Sequence, residues 1–97
     1  MQHDKPTYDV VHEPDQHRFA VHTEGHTAVL DYQHFPDKVV FTHTGVPREL
    51  EGRGIGSRLV RAGLDWARTE GVRVIPTCPF VSAYIGKHPE YADVTER

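Results

Sequence analysis

Three glycines at alternate positions, Gly52, Gly54 and Gly56, stand where an extended run gives way to helical periodicity, in the stretch VPRELEGRGIGSRLVRAGL (46–64). Each glycine costs roughly 1 kcal/mol relative to alanine inside a helix, so this junction needs bare backbone more than it needs helix stability. Anion binding is the chemistry that asks for such a junction. The first turn of a helix carries unpaired N–H groups and a partial positive charge, and glycines let a bulky phosphate approach them. Two reactive side chains flank the junction. His43 lies in the extended run feeding the glycines, and its imidazole titrates near physiological pH. Cys78 precedes Pro79 at the start of a second helical stretch, where the positive end of a helix lowers a thiol pKa.

The rest of the chain must hold these groups in place. YDVVH (8–12), HRFAVHTE (17–24), TAVLDYQHF (27–35) and KVVFTHTGV (38–46) read as four strands joined by short turns, an antiparallel meander. From Gly56 to Glu70 the period changes: Ile55, Leu59, Ala62 and Trp66 fall on one helical face, widened by Val60, Leu64 and Ala67. Gly71 is a natural stop. VRVIPTC (72–78) is a strand, PFVSAYIGKH (79–88) a short helix opened by proline at its first position, and HPEYADV (88–94) closes the chain. The order β-β-β-β-α-β-α is α/β (α+β), a single domain over 1–97 with a polar, frayed segment at 1–7. The strand at 38–46, the helix and the strand at 72–78 form a right-handed βαβ crossover with parallel strands.

Bulk properties exclude several classes. At 97 residues the chain supports one small core. A net charge of −3 gives no electrostatic footprint for nucleic acid or an anionic membrane. The lone cysteine forbids an intrachain disulfide framework and fits a reducing cytosol, so the expected compartment is the cytoplasm. No apolar run reaches the ~18–20 residues of a membrane span, and no signal-peptide core opens the chain. The eight histidines show no metal-ligand spacing, and none stands in a metal pattern with Cys78, so no metal is expected.

The glycine pattern discriminates among phosphate ligands. No lysine follows it, which excludes the Walker loop, and G-x-G-x-G is not the dinucleotide fingerprint G-x-G-x-x-G. The motif [QR]-x-x-G-x-[GA] does fit EGRGIG (51–56), with Glu51 where Gln or Arg is usual. This stretch resembles the pyrophosphate loop of GNAT-type acetyltransferases. FTHTGVP, VIPTCPFVSAYI and HPEY extend the resemblance to the very short, YidJ-type branch of that superfamily, over about residues 8–94. The resemblance implies a minimal GNAT fold: a mixed, mostly antiparallel sheet with helices on its faces and a splay between two parallel strands. Acetyl-CoA would lie in the splay as co-substrate. The backbone amides of Arg53, Gly54, Ile55, Gly56 and Ser57 would hold its pyrophosphate, and the backbone at Val46 its pantetheine and thioester carbonyl.

Acetyl transfer to an amine needs a neutral amine, a polarised carbonyl and a proton for the departing thiolate. His43 is the candidate base. Cys78 is either the acid to the leaving thiolate or a nucleophile that carries the acetyl group. A buried small hydrophobe at 78 and a hydrogen-bonded structural histidine at 43 remain the structural alternatives. Tyr84 and Tyr91 are further leaving-group acids or packed aromatics. The reading is an acetyl-CoA-dependent N-acetyltransferase, monomeric or weakly dimeric, with an amine acceptor, a protein group among the candidates. Its alternative is a non-catalytic coenzyme A-binding or interaction module.

Overall fold

A computed structural model describes residues 8–96, so the segment read as frayed at 1–7 lies outside the described residues. Five strands form one sheet in sequence order: β1 (Val11–Glu13), β2 (Arg18–Thr23), β3 (His26–His34), β4 (Lys38–Gly45) and β5 (Arg73–Pro76). The first four are antiparallel neighbours and β4–β5 is the parallel pair, with Lys38 opposite Arg73 and Phe41 opposite Pro76. The fold is therefore the mixed, mostly antiparallel sheet with a βαβ crossover that the sequence predicts.

Local chemistry sets the connections. Glu24 and Gly25 both have positive φ (54° and 76°) and make the two-residue turn between β2 and β3. Such turns match the twist of the flanking strands. Helix α1 (Ile55–Glu70) ends at Gly71, whose φ of 73° lets its N–H return to the carbonyls of Ala67 and Arg68. Helix α2 (Pro79–Lys87) starts on proline as expected. The closing segment is a run of 3-10 turns, Pro89–Thr95, that buries Tyr91 and Val94.

Two strands are shorter than the sequence suggests. The first is only Val11–Glu13, because Tyr8 and Val10 turn inward to pack against the core. The last stops at Pro76. Beyond it the chain bends onto β4: the Phe41 carbonyl accepts the Thr77 hydroxyl at 2.9 Å and the Cys78 N–H at 3.1 Å.

The core joins the α1 side of the sheet (Phe19, Val21, Ala28, Leu30, Tyr32, Val39, Phe41, Val74) to Ile55, Leu59, Val60, Leu64 and Ala67 of the helix. Gly63 lets the two layers come close. A Cβ there would stand 2.8 Å from a Leu30 methyl and 3.0 Å from the Phe41 ring, so glycine is kept mid-helix despite its entropic cost. Trp66 packs at the margin, edge-on to Phe19 and His34. Among the described residues no helix is long and apolar enough to cross a membrane.

Candidate functional site

After β4 the chain makes one 3-10 turn, Arg48–Leu50, anchored by the fully buried Leu50, and enters the glycine stretch. Gly52 and Gly54 have φ of 82° and 75°, and no atom lies within 4 Å of where a Cβ on either would project. They bend the chain so that α1 begins abruptly at Ile55. No side chain caps this end and no carboxylate occupies its first turn. The first intrahelical bond runs from Arg58 N–H to Gly54 O, at 3.2 Å. The N–H groups of the preceding residues are thus left over at the helix's positive end. Most helices fill that position with Ser, Thr, Asp or Asn; here the acceptor must come from elsewhere. Gly56 serves another purpose. Its φ is not positive, and a Cβ on it would meet the Phe80 ring at 2.9 Å. The glycine at 56 therefore seats α2 against α1.

A cavity of about 280 Å³ lies over this turn, lined by Val46, Leu50, the 51–57 loop and Phe80. The Glu51 side chain is exposed at its rim. Arg53 is tied down by the Glu24 carboxylate, the Tyr8 hydroxyl and the Glu49 carbonyl, which staples the β2–β3 turn to the loop.

The parallel pairing stops at Phe41 and Pro76 while β4 continues to Gly45. The β5-facing edge of β4 beyond Phe41 is therefore free of strand pairing, and the chain after β5 bends onto it, with Thr77 and Cys78 bonded to Phe41 and the Cys78 thiol against Thr44. A bulge makes this stretch unusual. Tyr32 pairs with Phe41 and Asp31 with His43, so Thr42 is an extra residue in β4. Its hydroxyl donates to the Asp31 carbonyl at 3.3 Å.

The bulge shifts the alternation of side chains by one. Thr44, opposite Leu30, joins the α1 side; His43, opposite Asp31, faces the other way. The thiol of Cys78 consequently meets Thr44, at 3.3 Å between Sγ and Oγ1. The exposed His43 ring instead lies over Gly45, beside Val29. The structure does not bring His43 and Cys78 together.

Cys78 is 5% exposed, at the N-cap position just before α2. Burial pushes its pKa up, but the Thr44 hydroxyl and the N–H groups of Val81, Phe80 and Thr44 outweigh it, and the thiol titrates below its ordinary value. Alkylation should be slow, with a midpoint below the ~8.5 of a free cysteine. Thr44→Val should move that midpoint up. A midpoint at or above the free value in the parent protein would show that burial wins.

Tyr84 stacks on His88 with ring centroids 4.0 Å apart. The Tyr91 hydroxyl donates to Asp65 at 2.7 Å, and burial together with that carboxylate holds its pKa above the ordinary tyrosine value. Both are packed aromatics. Thr44 and Phe80 were not singled out by sequence reasoning. Alternation along the strand would have pointed to Thr44 only if the bulge were known. Phe80, 44% exposed on the first turn of α2, was detectable as an apolar residue next to a helix start. Among the described residues no group of three or more His, Cys, Asp or Glu is placed to hold a metal.

Comparison with known proteins bears on this site. The pattern of the GCN5-related N-acetyl-transferase family matches residues 18–94. The chain is 32% identical over 83 residues to Protein NATD1 of Mus musculus, covering 82% of this chain and 76% of that one. The same identity holds with Protein NATD1 of Homo sapiens, over 82% and 74%. An NMR solution structure of a GCN5-like protein from Staphylococcus aureus superposes with a TM-score of 0.68 at 27% identity, covering 90% of this chain and 86% of that one. The uncapped glycine turn, the parallel β4–β5 pair and these likenesses agree: the chain belongs to the GCN5-related N-acetyltransferase family.

Proposed function

We propose that this protein binds acetyl-CoA and transfers the acetyl group to an amine. The observation that carries the reading is the α1 N-terminus, which no side chain caps and which opens into a cavity through two glycines of positive φ. The geometry suits a pyrophosphate. Amides of Arg53, Gly54, Ile55, Gly56 and Ser57 offer several donors at a positive helix end, and the lack of Cβ atoms on Gly52 and Gly54 leaves room. Val46 lines the same cavity where β4 ends, so its backbone is suited to the pantetheine and the thioester carbonyl.

The thioester supplies the activated acyl group; the protein contributes position and proton handling. Cys78 stands just beyond the end of β5, against β4, with hydrogen-bond donors that favour its thiolate. This equips it to protonate the departing thiolate and to regain a proton, or to accept the acetyl group on Sγ and pass it on. His43 is available to take a proton from an amine that approaches from the face opposite α1. Its separation from Cys78 favours a second reading, a coenzyme A-binding module without turnover.

Calorimetric titration with acetyl-CoA, followed by mass spectrometry with amine acceptors, separates the readings. The proposal expects saturable binding and acetylated product. An adduct of one acetyl group on the enzyme, labile to hydroxylamine and absent in Cys78→Ser, assigns the two-step route. Binding without any acetyl transfer would establish the module. No binding by the folded protein would overturn both.

A further inference from the structure

The sheet face turned away from α1 carries a pattern that coenzyme binding does not use. Two rows of residues run across β1–β4 in direct register. One is charged: Glu13 stands opposite Arg18, Arg18 opposite Asp31, and Asp31 opposite His43. The other is apolar: Val11, Ala20, Val29 and Gly45. A strand returns to the same face every second residue, about 7 Å on, so the two rows are neighbours. Exposed His22, Thr27 and His43, with Val11 41% exposed, show that among the described residues no helix covers this face.

Asp31 is the unsatisfied member of the charged row. It is half-buried, and among the described residues its carboxylate makes no hydrogen bond or ion pair; only its backbone carbonyl is engaged, by Thr42. Arg18, its neighbour on β2, is drawn the other way and donates from Nε to Glu13 at 2.7 Å. His43, its neighbour on β4, reaches along the strand: a Cβ on Gly45 would stand 2.9 Å from the ring Nε2 and 3.6 Å from a Val29 methyl. The bare backbone at Gly45 thus lets the imidazole lie where the charged row meets the apolar one. Gly45 is also the residue before Val46, which lines the glycine-turn cavity.

We propose that the acceptor binds on this open face as an alkylammonium, its charge held by Asp31 beside His43 and its stem laid along Val29 and Ala20. The site rests on the acetyl-transfer reading above and adds the residue that receives the acceptor. An aliphatic amine with a pKa near 10.4 is a cation at neutral pH, and such side chains lay their methylenes on apolar surface while the charged head finds a partner. One proton passes from the ammonium to the His43 ring and frees the nitrogen lone pair. The positive charge moves from one nitrogen to another beside the same carboxylate, so Asp31 faces one cation before and after. The lone pair then forms the C–N bond, the C–S bond of the thioester breaks, a second nitrogen proton ends on the departing thiolate, and His43 returns its proton to solvent.

Amide NMR spectra of the full chain, titrated with n-butylammonium chloride at neutral pH, test the site. Saturable shifts are expected at Val29, Asp31 and His43. 1-Butanol, equally long but uncharged, should bind at least about tenfold more weakly, the scale of a charge-assisted contact. Asp31→Asn should weaken butylammonium by a similar factor and leave the acetyl-CoA titration unchanged. Glu70→Gln makes the same change of charge on the exposed end of α1 and should keep the affinity; the spectra themselves report that each variant is folded. Shifts confined to other residues, equal binding of the alcohol, undiminished affinity in Asp31→Asn, or an equal loss in Glu70→Gln would each overturn the site while leaving acetyl-CoA binding intact. Butylammonium held at Asp31 by a protein that does not bind acetyl-CoA would instead overturn the reading on which the site rests.

Discussion

Replacing Gly54 by valine is expected to weaken acetyl-CoA binding by at least about 1.5–3 kcal/mol, roughly ten- to a hundredfold, the scale of lost charge-assisted hydrogen bonds. Two effects add. Gly54 has φ of 75°, a conformation that costs an L-residue about 1–2 kcal/mol and a β-branched one more. The chain will relax away from it and turn the helix-end amides off their common focus. The new branched side chain also stands where an anion must approach. Nothing of the protein lies within 4 Å of that position, so the loss does not come from a clash within the fold. Gly71→Val is the matched control: its φ is 73°, its surroundings are equally open, and it lies at the far end of α1 from the glycine turn. It should lose comparable stability and keep its affinity. Undiminished affinity in a folded Gly54→Val protein, measured by calorimetry, would remove the glycine turn from the binding site.

Phe41→Ala should cost about 3–5 kcal/mol of folding stability, a large part of the 5–15 kcal/mol typical of a domain. The ring is fully buried, stands edge-on to Tyr32 with centroids 6.3 Å apart, and fills the space that Gly63 leaves on α1. Its removal opens a void between the sheet and the helix that positions the glycine turn. Urea unfolding measures the change in midpoint at constant slope. A loss under about 1 kcal/mol would mean that the layers close over the gap, and that Gly63 is not held in place by this ring.

Period and punctuation made most of the architecture legible in advance. The β-branched and aromatic runs gave the meander, the face through Ile55, Leu59, Ala62 and Trp66, widened by Val60, Leu64 and Ala67, gave the helix, and Pro79 and Gly71 marked a start and a stop. The glycine turn was legible for the same reason, since its conformation is dictated by residues close in sequence. Strand ends were not. Where Val10 packs and where Pro76 stops pairing depend on neighbours far along the chain. The largest departure came from a single residue. With Thr42 inserted into the register, parity along β4 reverses: Thr44 meets the Cys78 thiol and His43 faces the other way. No local pattern announces a bulge here, because Thr42, His43 and Thr44 all suit a regular strand.

The outer strands have a bearing on how the molecule behaves among its own copies. Exposed strand edges are templates for aggregation, and natural sheets blunt them with short strands and prolines. Here the sheet begins with a three-residue strand followed directly by Pro14. It ends with a four-residue strand closed by Pro76, beside the 3-10 turns of the closing segment. Neither margin offers a second chain enough backbone to extend the ladder. The longer stretch without a strand partner on its β5-facing edge, from Thr42 to Gly45, is set back from the sheet's margins, where the Cys78 thiol meets Thr44. The protein thus keeps a stretch of strand that is paired with β3 on one edge only, away from the outer margins where such an edge invites association.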